Sequence, residues 1–221
     1  MIEYDKDAIV PPYITEYLRA KTTHEDVFLH ELEAYAEKES VPIVEPETAR
    51  FLSVMTEIKK PARVLEVGTA IGYSAILIAR HLADGGKITT IEYNADMVKI
   101  ARENIEKAGF SDAVTVVEAD AKDYLSYIEE DETFDMIFLD GPKAHYIYML
   151  DECVRLLKKG GVLISDNVLY KGMTADDEHV IRRKITIVER LREYIDSLVN
   201  HPELETTLLP LGDGVTVSVK I

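Results

Sequence analysis

The chain has 221 residues, 47% of them hydrophobic, and a formal charge of −16. That length suits one unit over 1–221, a helical extension (1–60) ahead of a sheet core (61–221), and a lone cysteine, Cys153, excludes an internal disulfide framework. The negative charge repels polyanions at long range, which argues against indiscriminate nucleic-acid binding but leaves a local basic patch open.

The opening MIEYDKDAIVPPYITEYL mixes charges and carries two prolines, so it lacks the basic segment and apolar run of a secretory signal. No apolar stretch approaches a membrane span, and a cytoplasmic protein is expected. Amphipathic segments at 24–40 and 46–60, broken around Pro42 and Pro46, are expected to form helices that serve as a lid or a dimer arm. From Arg63 onward, short β-branched runs alternate with longer helical patterns, the rhythm of a parallel sheet covered on both faces. Strands are expected at 63–67, 87–92, 114–118, 134–140 and 161–166. Helices are expected at 73–82, 95–108, 124–129, 144–157 and 180–199, with Gly85-Gly86, Gly109 and Gly160-Gly161 as stops. The tail, ETTLLPLGDGVTVSVKI, reads as a hairpin turning at Gly212-Asp213-Gly214, which makes the last strand antiparallel.

Two groups of residues carry chemistry. After the first strand, VLEVGTAIGYSA places Glu66, Gly68 and Gly72 before a helix, without the glycine crowd that cradles a pyrophosphate. Glu92, ending the second strand, stands where a carboxylate takes ribose hydroxyls, and Asp120, past the third, can reach an adenine edge. These acids suit a nucleoside-bearing cation, S-adenosylmethionine; each alone would equally serve as a helix cap or a solvated side chain. Further on, FLDGPKAHY and LISDNVLYKG end adjacent strands. Asp140, Asp166 and Asn167 offer three oxygens to a hard cation such as Mg²⁺, and no Cys or His cluster favours zinc. A turn at a strand end is the plainer reading of the Asp166-Asn167 pair. Lys143 follows at an expected helix start, where the dipole and a metal would both favour a neutral general base; a surface lysine is the alternative.

The ordered motifs LEVGTAIGYSA, FLDGPKAHY, SDNVLYKG and LPLGDGVTVS resemble the metal-dependent class I O-methyltransferases of the catechol and caffeoyl-CoA type, over residues 23–221. The resemblance implies a Rossmann-like, seven-stranded, mostly parallel sheet with an antiparallel last strand and helices on both faces, and a homodimer. It also implies Asp140, Asp166 and Asn167 as metal ligands, Lys143 as the catalytic lysine, and Glu66, Gly68, Gly72, Ser74, Glu92, Asp120 and Asp140 around the cofactor. Within the family, 32–47, 68–76, 166–176 and 192–214 are most similar to the bacterial tRNA 5-hydroxyuridine methyltransferases, which make 5-methoxyuridine at the wobble position. A 5-hydroxyl beside a 4-carbonyl chelates a metal much as a catechol does. Lys171, Arg182, Arg183 and Lys184 are then candidates for tRNA phosphates, though Asp176, Asp177 and Glu178 offset them, and Tyr146 and Tyr170 for stacking a base. The role of His145 stays open. The competing expectations are a small-molecule methyltransferase for catechols or related vicinal oxygens, and a catalytically idle nucleoside-binding protein.

Overall fold

A computed structural model describes residues 9–221; residues 1–8 of the expected dimer arm lie outside the described residues. The helical extension forms α1 (Pro12–Lys21), α2 (Val27–Glu39) and α3 (Pro46–Lys59). Asp26 caps α2 by accepting the Leu29 amide, and Pro46 starts α3 where no amide hydrogen is needed. No helix among the described residues is long and apolar enough to cross a membrane.

The core then alternates: β1 (Arg63–Val67), α4 (Tyr73–Ala79), β2 (Lys87–Glu92), α5 (Ala95–Lys107), β3 (Val114–Glu118), α6 (Ala121–Tyr127), β4 (Phe134–Leu139), α7 (Tyr146–Leu156) and β5 (Leu157–Ser165). α8 (Ile185–Val199) and the hairpin β6 (Leu204–Leu209) and β7 (Val215–Lys220) finish the chain. The sheet order is β3-β2-β1-β4-β5-β7-β6, with β7 antiparallel to both neighbours and the other six strands pointing one way. Alternate strand residues fill two layers. Val64, Met136, Phe138 and Ile164 pack with Leu52 and Ile76 on one face, and Leu65, Ile137, Leu139 and Leu163 with Tyr146 and Tyr194 on the other.

The expected element types hold, and several boundaries move, three of them with a clear local cause. Gly160-Gly161 does not stop a helix. β5 begins at Leu157 and bulges through both glycines, since Phe134 pairs with Leu157 but Met136 with Val162; a Cβ on Gly161 would lie 2.6 Å from the Lys158 carbonyl oxygen. The expected helix at 124–129 starts earlier, because Asp120 caps α6 through the Asp123 amide. The expected helix at 180–199 begins only at Ile185. Val180 and Ile181 are extended, and the basic Arg182–Lys184 forms a short 3-10 turn.

Candidate active site

The carboxyl ends of the parallel strands are tied one to the next by amides just past each strand. Ala119 donates to the Glu92 carbonyl, Gly68 to Ile91, Asp140 to Val67 and Asp166 to Leu139, at 2.9–3.0 Å. This continuation of the ladder sets Glu92, Gly68, Asp140 and Asp166 side by side at the sheet's edge, where the strand order reverses around β1 and β4. Above them opens a cavity of about 500 Å³, roofed by Val41, Pro42, Ile43 and Glu45 of the α2–α3 connection.

Gly68 has φ +99°, and a Cβ there would fall 2.3 Å from the Asp140 carbonyl oxygen, so only glycine lets β1 turn this close to β4. Glu92 is held at both oxygens. Oε2 accepts the Ala70 amide and Oε1 the Asn94 amide, each at 3.0 Å, and the carboxylate still lines the cavity. Asp120 lines it too, while capping α6. Glu66, Gly72 and Ser74 do not line the cavity; Glu66 and Ser74 are buried behind it. Glu66 Oε2 accepts from Thr90 at 2.5 Å, and Oε1 has no hydrogen-bond partner among the described residues. Burial pushes its carboxyl up to about 7, although the Ser74 and Thr90 hydroxyls beside it favour the ionised form.

Asp140, Lys143, Asp166 and Asn167 share the opposite wall. Lys143 Nζ donates to Asp140 Oδ1 at 3.0 Å, and Asp166 Oδ1 accepts the Asn167 amide at 2.7 Å. Burial raises both aspartates above the usual carboxylate range, and Asp140 raises Asp166 further, with Lys143 pulling the other way. Two desolvated carboxylates and an adjacent amide, with one nearby ammonium, form an all-oxygen donor set short of positive charge, which fits a hard divalent cation. Tyr146 fixes the two strand ends, since its hydroxyl contacts the Leu139 and Asp166 carbonyls at 3.1 and 3.2 Å. That corrects one expectation. Tyr146 is fully buried and cannot stack a base. Lys143 lies in a three-residue 3-10 turn rather than at the start of α7, so a helix dipole gives it little help.

A family model described as O-methyltransferase matches residues 19–221. The chain belongs to the O-methyltransferase family. Catechol O-methyltransferase B of Danio rerio is 43% identical over 133 residues, 58% of this chain; the match spans only 50% of that relative's length. Caffeoyl-CoA O-methyltransferase of Petroselinum crispum is 32% identical over 180 residues, 78% of this chain and 74% of its own. The O-methyltransferase of Bacillus cereus, solved in complex with SAH, superposes with a TM-score of 0.84 at 29% identity, covering 95% of this chain and 97% of that one.

Set on this O-methyltransferase frame, the basic candidates lie apart from the cavity. Lys171 lines a neighbouring hollow that shares Asn167 and Glu45 with it, and Arg182, Arg183 and Lys184 line neither. Residues not singled out from sequence complete the rim: Tyr93, Met97 and Lys122 line the cavity together with His145, whose role the sequence left open, and exposed Tyr148 stands next to Lys122 and His145. The helix-starting position of Lys122 after a capping aspartate was the available signal; the roof residues Val41–Glu45 gave none, because the fold alone brings them over the sheet.

Proposed function

We propose that this chain transfers a methyl group from S-adenosylmethionine to one oxygen of a vicinal pair on a small catechol- or hydroxycinnamoyl-type substrate, with a hard divalent cation. The observation that carries this is one cavity with Glu92 and Asp120 on one wall and Asp140, Lys143, Asp166 and Asn167 on the other. The names and complex of the relatives support the cofactor and the substrate class. Glu92, held rigid by two amides, would take the ribose hydroxyls and Asp120 the adenine edge. Gly68 lets the cofactor approach backbone, while Glu66, Gly72 and Ser74 support the loop from behind. Asp140, Asp166 and Asn167 would hold the cation, whose chemistry is to lower the pKa of a bound hydroxyl and align it. Lys143 Nζ, held by Asp140, would accept the hydroxyl proton once in its neutral amine form, and the substrate oxygen would take the methyl carbon as the carbon–sulfur bond breaks and S-adenosylhomocysteine leaves.

A second reading, 5-hydroxyuridine in tRNA, is favoured by the rim. Lys122, which lines the cavity, and Arg190 lie 5.6 and 5.1 Å from the centre of the Tyr148 ring, 48% exposed. Aromatics and cations at a cavity mouth suit a splayed nucleotide. A homodimer, implied by the resemblance, and a cytoplasmic location, expected from the lone cysteine, belong to either reading.

The test supplies S-adenosylmethionine and Mg²⁺ with a catechol, a caffeoyl thioester or tRNA carrying 5-hydroxyuridine, read by mass spectrometry. Methylated catechol or thioester is expected. Turnover should fall roughly 100-fold or more with chelator or in Asp166→Ala, and the chelated wild type should recover with Mg²⁺. Full activity in chelator would sink the metal; 5-methoxyuridine alone would replace the small substrate with tRNA.

A further inference from the structure

The loop after β5 carries two of the three candidate ligands, and its backbone is unusual from the second of them, Asn167, onward. Asn167, Tyr170 and Lys171 have φ of 58°, 47° and 58°, and Gly172 follows at 77°. Side chains rarely adopt this region, and it persists only where surrounding contacts over-determine it. Those contacts come from the turn of the C-terminal hairpin. Val168 donates its amide to the Gly214 carbonyl and Leu169 to the Asp213 carbonyl, both at 3.0 Å, and the Lys171 amide donates to Asp213 Oδ1. A Cβ on Gly214 would lie 2.4 Å from Leu169 Cγ and 2.8 Å from its amide nitrogen, so the turn and the loop touch backbone to backbone.

We propose that Asp213 is a positioning residue: its carboxylate, bound to the Lys171 amide, fixes the loop so that Asp166 and Asn167 are presented together, and thereby sets the affinity for the divalent cation. The inference rests on the metal reading above. Asp213 lines the hollow that Asn167 and Lys171 also line, outside the cofactor cavity, so it acts through the loop. The partner is a backbone amide, so an acceptor oxygen is what the site needs from Asp213. Its charge is secondary. Asparagine keeps that oxygen, alanine has none, and the serine hydroxyl is too short to reach.

Full-length protein stripped of metal is titrated with Mn²⁺ by calorimetry and paramagnetic resonance, and amide exchange is followed at Lys171. Asp213→Ala should weaken Mn²⁺ binding about 10–100-fold and expose the Lys171 amide. Asp213→Ser, the alternative should the alanine variant not fold, should do the same, and Asp213→Asn should stay within about threefold of wild type. The KM for S-adenosylmethionine should be unchanged, and kcat, lowered at limiting metal, should recover as Mn²⁺ is raised. Wild-type Mn²⁺ affinity in the alanine or serine variant overturns the proposal, as does an asparagine variant as weak as alanine. If the wild type itself takes up no Mn²⁺, the metal reading has failed. In that case a Lys171 amide equally protected in all variants would separately remove the positioning role.

Discussion

Glu66 is a carboxyl that no solvent touches, one of whose oxygens has no hydrogen-bond partner among the described residues. Thr69 and Thr90 form a hydroxyl chain, 2.6 Å apart, that ends on its other oxygen. The folded protein therefore keeps this proton longer than the unfolded chain, from the ordinary glutamate value of 4.5 up to about 7. Its contribution is greatest below the unfolded value and is lost as pH rises through that window, because the unfolded chain ionises first. A rise of that size corresponds to roughly 3 kcal/mol. Urea unfolding of metal-free protein at pH 4.5 to 8 should show the stability difference between wild type and Glu66→Gln shifting by about that amount in favour of the variant as pH rises. A constant difference would show that Glu66 is ionised throughout. The sequence marked Glu66 as a cofactor residue from its place at a strand end. It did not reveal that the side chain lies behind the wall, since Val64 and Leu65 on either face are both buried and strand alternation gives no clue to which side opens.

At the scale of elements, α2 is fastened to α4 by Glu33, which accepts from Tyr73, His24 and His30 at 2.7–2.9 Å. His24, His30 and Glu33 have the composition of a metal site, but the two rings stack 4.2 Å apart and 16° from parallel, so no ion can lie in both planes. The hydrogen bonds assign protons instead. His30 Nε2 faces the His24 carbonyl and Nδ1 faces Glu33, both acceptors, which favours a ring carrying two protons; His24 Nδ1 instead receives the Asp26 amide. Asp26 is occupied by Arg80. Glu33 and the His24 carbonyl thus raise the His30 pKa, and the His30–Glu33 ion pair within α2 is present at low pH and lost as pH rises through that raised value. NMR titration should place His30 above the ordinary imidazole value of 6.5 and bring it back in Glu33→Gln; an unshifted His30 in wild type would refute the assignment. Both helices were legible from their apolar stripes. The fastening was not, because Tyr73 is 40 residues from Glu33. The same distance in sequence hid the rim: Lys122, Tyr148 and Arg190 come from α6, α7 and α8.

Across the whole molecule, the rhythm of strands and helices was readable, and so was the reversed last strand. The position of that strand was not, because hairpin signals say which strands pair and nothing of where they dock. β7 enters between β5 and β6, so the last strand of the chain lies inside the sheet. A lysine at its end would ordinarily mark an exposed edge. Lys220 instead is buried, and its Nζ donates to the Val154 and Leu157 carbonyls at 2.9 Å, with Glu132 at 3.5 Å. It satisfies the end of α7 just where the chain turns into β5, the strand that leads to Asp166. Lys220→Met keeps the length and apolar stem but leaves two buried carbonyls without this donor, which should cost roughly 2–4 kcal/mol. The loss should appear as a lower denaturant midpoint with an unchanged slope, because the packing that sets the exposed surface is retained. An unchanged midpoint would mean that water replaces the ammonium and that the last strand is anchored by its ladder alone.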